Sequence, residues 1–331
     1  MKRLLQINFR NVINQAVIEA WRRVPSGPHE PDFIASLVLF GTPGFHNAII
    51  ATSGIWNKVN TVGVFCHQSP MVKYIDGVTE RRCELGDVLW CHFHTNKEGN
   101  TFRNAILFQS KMSATLTPAI PYNDTQLKLY REWPQYEYYR SGSLNGQVRN
   151  VLPKQPHAGA QYMFIDNSPI TNPSLGVQNL NPYTTFPIGT TTISPLLLGN
   201  TPLELELVRF LFLGSGRTFD SYLNRNASDE WTKVIWDLLR NGMSRAFNRR
   251  RAGFNNSPRI SRYKSSMDGM LTFTGSSDDI SSGLDSGFYN EYKDLFSSDD
   301  RGNKENNYTP EDKEDGGATS IIIFRTNESK G

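Results

Sequence analysis

Apolar residues recur at helical spacing from Asn11 to Val24, where Ile13, Val17, Ala20, Trp21 and Val24 share one face and Pro25 and Gly27 end the run. A second helix is predicted from about Pro31, a favoured first-turn residue, to Phe40 before Gly41. Its run FIASLVLF is apolar nearly all round, which predicts burial. Then the period changes. Thr61 to Ile75 reads as strand, with Pro70 marking a bend or edge. Gly86 to Thr95 is a second strand, NKEGN a loop with a turn glycine, and Asn104 to Met112 a third strand. Two strands so closely joined are most simply an antiparallel hairpin.

NDTQLKLYREWP signals a helix, with Asn123 and Gln126 spaced as a capping box and Pro134 as the stop. Gln161 to Asp166 is a further strand. The order helix, three strands, helix, strand predicts an α/β fold, a mixed central sheet flanked by helices. Residues 168 to 200 are Asn-, Pro- and Thr-rich and read as a loop or linker. Thr201-Pro202-Leu203-Glu204 then opens a helix closed by Gly214, and Ser228 caps another with the apolar stripe Trp231, Val234, Ile235, Leu238 and Leu239. From about residue 254 the chain is Ser-, Asp-, Asn- and Gly-rich, which predicts disorder to nearly the end, with the short SIIIF run set apart from it. Three regions follow: 1–167 as the α/β domain, 168–253 as linker and additional helical region, and 254–331 as a mostly disordered acidic tail.

Composition narrows the function classes. The net charge of +3 is too small to name a partner. Cys66, Cys83 and Cys91 are an odd set without framework spacing, which fits a reducing compartment and a cytoplasmic location. The N-terminus lacks the long apolar run of a signal peptide. The apolar stretch from Pro195 to Gly214 is broken by Gly199, Asn200, Pro202 and two glutamates, so no membrane association is expected from it.

The chemistry concentrates in the hairpin. Gln109 and Lys111 are two apart on a strand and share a face. The start of one hairpin strand lies beside the end of the next, which brings Asp87 to about one strand spacing, roughly 5 Å, from that pair. A carboxylate, an amide oxygen and an ammonium then converge, as phosphodiester hydrolysis with a hard divalent cation requires.

The strings CELGDVLW and AILFQSKM resemble the signature of the PD-(D/E)xK nuclease superfamily in its QxK branch, which includes Mrr-like restriction enzymes and anti-phage effector nucleases. The resemblance covers roughly residues 10 to 167 and implies a restriction-endonuclease-like core. It implies that Asp87 binds Mg²⁺ or Mn²⁺, that Gln109 replaces the usual acidic ligand, and that Lys111 is the catalytic lysine. It also implies a DNA endonuclease of bacterial defence against phage or foreign DNA, with nucleic acid as partner and a sensor or motor subunit restraining it. A homo-oligomer is compatible with this reading. The alternative is a subunit that kept the fold and lost the chemistry, serving as nucleic-acid-binding module or scaffold. Glutamine at 109 removes a negative charge from the metal site, so a second acid is expected. Glu84 is nearest in sequence and Glu30 opens the apolar second helix, while Glu19, facing away from its helix's apolar stripe, is the least favoured; the sequence does not choose between Glu84 and Glu30.

Other constellations are weaker. Cys66-His67, Cys83 and Cys91-His92-Phe93-His94 lack zinc spacing, and strand alternation puts Cys91 opposite His92 and His94. No G-x-S-x-G is present, and GSGRTF lacks the lysine of a phosphate loop. The aromatic run Trp133 to Tyr139 reads first as packing of a helix end and second as a base-stacking platform. Near the C-terminus, Arg245, Arg249, Arg250 and Arg251, within a basic stretch from Arg240 to Lys264, are candidates to grip phosphates. The tail from Asp268 to Asp315 is acidic, and an autoinhibitory fold-back onto that stretch stands beside the simpler reading of a solvated tail.

Overall fold

The computed structural model describes residues 1–24, 27–52, 54–66, 70–113, 120–166, 188–192, 201–224, 228–245, 270–274 and 318–328. Its frame is a mixed sheet with helices on both faces, as the element order predicts. The strands are β1 (Trp56–Phe65), β4 (Val88–Thr95), β5 (Thr101–Met112), β8 (Ala160–Ile165), β9 (Ile188–Thr192), β10 (Thr201–Pro202), β11 (Arg217–Thr218), β12 (Met270–Thr274) and β13 (Ser320–Glu328). Across the sheet the order is β10-β9-β8-β5-β4-β13-β1-β12, with β11 paired to the first part of β5. β4 and β5 form the expected antiparallel hairpin, Val88 opposite Phe108 and Thr95 opposite Thr101. β8 returns parallel to β5, Leu107 opposite Ala160 and Met112 opposite Ile165. Between them the chain crosses over through α4 (Thr125–Glu132), as a parallel connection requires.

A second, four-stranded sheet lies in the order β3-β2-β6-β7, from β2 (Met71–Asp76), β3 (Thr79–Glu84), β6 (Tyr136–Tyr139) and β7 (Val148–Arg149). The single strand expected over Thr61 to Ile75 is thus two strands in different sheets. The polar run TERRCE hides β3, because only Cys83 of it is buried.

The helices on one face are α1 (Lys2–Arg23), α2 (Glu30–Ser36), a π-helical turn (Leu37–Gly41), α3 (Thr42–Thr52) and α5 (Leu203–Leu211). α1 begins a full two turns before the expected Asn11. The stretch from Glu30 to Thr52 is 23 residues long and apolar enough to span a membrane, but most of it is buried against the sheet and α1. Its composition is that of a core helix. Phe45 of α3 meets Phe9 and Trp90 edge to face at ring-centroid distances of 5.3 and 5.5 Å. On the opposite face α4, α6 (Glu230–Arg245) and the small sheet enclose a second core, in which Trp133, Trp231, Tyr130 and Tyr162 are fully buried. The α6 stripe Trp231, Val234, Ile235, Leu238 and Leu239 is buried as its spacing predicts.

Several expectations need correction. SIIIF, set apart from the polar tail in the sequence, is part of the sheet itself. β13 is a central strand, parallel to β4 and antiparallel to β1, with Ile321, Ile322, Ile323 and Phe324 all fully buried. β12 belongs to the same sheet, so the region 254–331 contributes two strands to it. α5 packs on α1 and holds Arg10 through buried Glu204 at 2.8 Å. The boundaries drawn at 167 and 253 therefore do not separate packing units. Thr201 and Pro202 form a short strand, with Pro202 rather than Thr201 at the N-cap of α5, and α6 is capped by Asp229, whose Oδ1 accepts the Thr232 amide, in place of Ser228. The rest of the acidic tail lies outside the described residues.

Candidate active site

The β4–β5 ladder ends at Val88 and Phe108, and Asp87 stands just beyond it. Its amide still donates to the Phe108 carbonyl at 2.9 Å, and its carbonyl accepts the Ser320 amide of β13 at 3.0 Å. Its side chain then takes the place of the missing strand partner: Oδ2 accepts the backbone N–H of Ser110 at 2.6 Å. Gly86 has no room for a side chain, since a Cβ there would stand 2.7 Å from Leu107 and from the Tyr130 hydroxyl. The Tyr130 hydroxyl itself donates to the Leu85 carbonyl at 2.8 Å. The Gly-Asp pair is therefore held in place by β5, β13 and α4 together.

Gln109 and Lys111 point to the same side of β5, as their spacing requires. Gln109 is buried, and its Nε2 donates to Asp87 Oδ2. Lys111 Nζ donates to Gln126 Oε1 at 2.7 Å, and Gln126 Nε2 donates to Gln109 Oε1 at 2.9 Å. A continuous chain thus runs from the Lys111 ammonium through Gln126 and Gln109 to the Asp87 carboxylate. Gln126 is the residue that the sequence reading assigned to a helix cap. The cap is Asp124, whose Oδ1 accepts the Leu127 amide at 2.9 Å, and this frees Gln126 for the site.

Both proposed second acids arrive. Glu84, at the end of β3, lies in electrostatic reach of the Asp87 carboxyl group. Glu30, at the first position of α2, lies in electrostatic reach of Lys111, Glu84 and Asp87. Burial, then the Glu30 and Glu84 charges, push the Asp87 carboxyl well above the usual carboxylate range, against the pull of the Ser110 amide. Burial also raises Glu30 to about 7, with Glu84 adding to the shift and Lys111 opposing it. Glu19 is elsewhere, paired with Arg22 at 2.8 Å on the surface of its own helix.

The donor set fits a hard divalent cation. Glu30 and Glu84 lie close enough to Asp87 to disfavour its charged form, and a cation among them would offset that repulsion. Among the described residues no three acidic, His or Cys groups already stand at metal-ligating distances around one point. Asp87, Glu84 and Glu30 are the groups that would hold the ion, while the Gln109 amide turns its nitrogen to Asp87 and its oxygen to Gln126 rather than toward the carboxylates.

The remaining candidates fall outside this cluster. Arg245 ends α6, while Arg249, Arg250 and Arg251 lie outside the described residues, as does His67. Cys66, Cys83 and Cys91 are buried thiols. His92 Nε2 and His94 Nδ1 both meet Thr326 Oγ1 of β13 at 2.9 Å, on the sheet face opposite Cys91. Trp133, Tyr136 and Tyr138 pack in the second core. Comparison with protein-family models, curated proteins and solved structures finds no match.

Proposed function

We propose that the chain is a Mg²⁺- or Mn²⁺-dependent nuclease that hydrolyses phosphodiester bonds, with DNA as substrate. The observation that carries this reading is the convergence of Asp87, Glu84, Glu30, Gln109 and Lys111 from four elements, the start of β4, β3, α2 and β5, at one end of the sheet. No structural need accounts for three carboxylates crowded beside a lysine, since buried like charges cost stability. The run β1, β4, β5, α4, β8, with β4–β5 antiparallel and β5–β8 parallel, is similar to the PD-(D/E)xK core; β13 between β1 and β4 departs from the inferred order.

A bound cation would supply Lewis acidity at the phosphate and favour ionisation of a nearby water. Lys111, steered by Gln126, orients the attacking water or neutralises charge developing on the phosphate. Gln109 joins the lysine side of the site to Asp87 and fixes both orientations. A role in bacterial defence, and restraint by a sensor or motor subunit, rest on the resemblance alone.

The test is incubation of plasmid and linear DNA with the protein, with and without Mg²⁺ or Mn²⁺, comparing wild type with Asp87→Ala and Lys111→Ala. Metal-dependent cleavage lost in both variants, with folding intact by circular dichroism, is expected. Equal cleavage by all three proteins would sink the assignment, and DNA binding without any cleavage would favour the inactive-subunit reading.

A further inference from the structure

The small sheet is buried on one face and open on the other. Cys83 of β3, Val72 and Tyr74 of β2 and Tyr136 and Tyr138 of β6 point into the core. Alternation turns Glu80, Arg82 and Glu84 of β3, Met71, Lys73 and Ile75 of β2, and Glu137 and Tyr139 of β6 the other way. On this face Ile75 is 62% exposed and the Arg82 side chain 60%. Glu84, one of the acids gathered around Asp87, is the last residue of the same face. The open face therefore runs directly into the candidate active site.

The register fixes the layout. Glu84, Met71 and Tyr139 form one row across three strands, and Arg82, Lys73 and Glu137 form the next. The Arg82 guanidinium reaches diagonally over the Tyr139 ring, 5.2 Å from its centroid. Arg82 is two residues from Glu84 along β3, about 7 Å, and Tyr139 is two strands away, about 10 Å. An exposed guanidinium lying over an aromatic ring leaves its other side open to whatever lies above it.

We propose that this face is a platform for a single-stranded stretch of nucleic acid, with a base stacked on the Arg82–Tyr139 pair beside the nucleotide cleaved at the Glu84 end. Charge favours a single strand over a duplex. Lys73 is paired with Glu137 at 3.0 Å and Arg82 with Glu80 at 2.6 Å, so these charges cancel and, with Glu84, the face carries no net positive charge. Such a face gains little from counterion release, the main source of duplex affinity, whereas stacking on a flat π or guanidinium surface needs no net charge. Ile75 extends the platform away from the site as an apolar flank. The choice of nucleic acid rests on the nuclease reading; the stacking geometry does not.

The test is binding of a fluorescein-labelled single-stranded oligo(dT), and of a duplex of equal length, to the full chain in EDTA, read by anisotropy across a salt series. Tyr139→Leu should weaken single-strand binding by about 5- to 150-fold, the equivalent of ~1–3 kcal/mol per stacked base, and Tyr139→Phe should restore it. Arg82→Ala, at an exposed position where folding is not at stake, should weaken it in the same direction. Oligo(dT) binding unchanged in both Tyr139→Leu and Arg82→Ala would overturn the proposal. So would Tyr139→Phe binding as weakly as Tyr139→Leu, or a duplex bound more tightly than the single strand. Cleavage is absent from this assay, so loss of the platform with cleavage intact refutes this inference alone. A Tyr139-dependent platform on a protein that never cleaves refutes only the nuclease reading.

Discussion

Replacing Glu30 with glutamine tests the electrostatics of the site without touching its shape. Glu30 has its carboxyl raised from 4.5 to about 7, chiefly by burial. Between those values the unfolded chain has lost the proton while the folded chain keeps it, so the folded state binds more protons. Stability from this group is therefore full below about pH 4.5, declines as pH rises through that window, and is gone above about 7. At ~1.4 kcal/mol per pH unit the shift corresponds to about 3 kcal/mol at most, an upper bound because Glu30 is only half-buried. Glu30→Gln carries no charge at any pH. It should match the wild type near pH 4.5 and exceed it by up to ~3 kcal/mol at pH 8 in EDTA, measured by urea denaturation at several pH values. Mg²⁺ should stabilise the wild type more than the variant at pH 8. Parallel pH profiles for the two proteins would refute the reasoning, because they would mean that Glu30 is not held in a desolvated, acid-crowded position.

Gly86→Ala forces a Cβ to within 2.7 Å of Leu107 and the Tyr130 hydroxyl. Thermal and urea unfolding should show a loss of about 1–3 kcal/mol, and cleavage should fall further than stability because Asp87 is displaced. Gln126→Leu removes both the acceptor of Lys111 and the donor to Gln109; cleavage should drop about 10- to 100-fold, with stability changed by no more than about 2 kcal/mol, and unchanged cleavage would dismiss Gln126 as a positioning residue. A stop codon after Gly317 removes β13, including four fully buried side chains from Ile321 to Phe324. At roughly 1.5–3 kcal/mol each that loss matches a whole domain's stability, so the product should show no cooperative unfolding transition.

The hairpin geometry was readable because a strand has a fixed period of two and a short connection fixes which ends meet. Those two facts place Asp87 beside Gln109 and Lys111 with no tertiary information. Glu30 was readable as a candidate because a charged residue opening an all-apolar helix must sit at the edge of a core. β13 was not, because its partners β1 and β4 lie more than 200 residues upstream and its short apolar run is diluted by polar sequence before it. β3 was missed for a related reason: its outward face is charged, so alternation leaves only Cys83 as an apolar signal. Gln126 was misread because Asn123 and Asp124 offer competing caps one residue apart, and spacing alone does not say which side chain turns back to the helix.

The glutamine at 109 looked at first like a charge deficit, and the surroundings of Asp87 reverse that view. With Asp87, Glu84 and Glu30 all ionised, three negative charges face the single positive charge of Lys111, leaving −2. A fourth acid at 109 would make the cluster harder still to ionise, whereas the amide holds its neighbours in place and adds no charge. The raised carboxyl groups mean that protons neutralise the cluster when nothing else does. A divalent cation supplies the same +2 and must displace those protons to bind, so metal affinity should climb with pH through the window set by Glu30. Cleavage by the wild type should then rise between about pH 6 and 8 at low Mg²⁺, and the rise should flatten as Mg²⁺ is increased. A pH profile that ignores the metal concentration would mean that protons and cation do not compete for these carboxylates, and the site would have to be assigned a different chemistry.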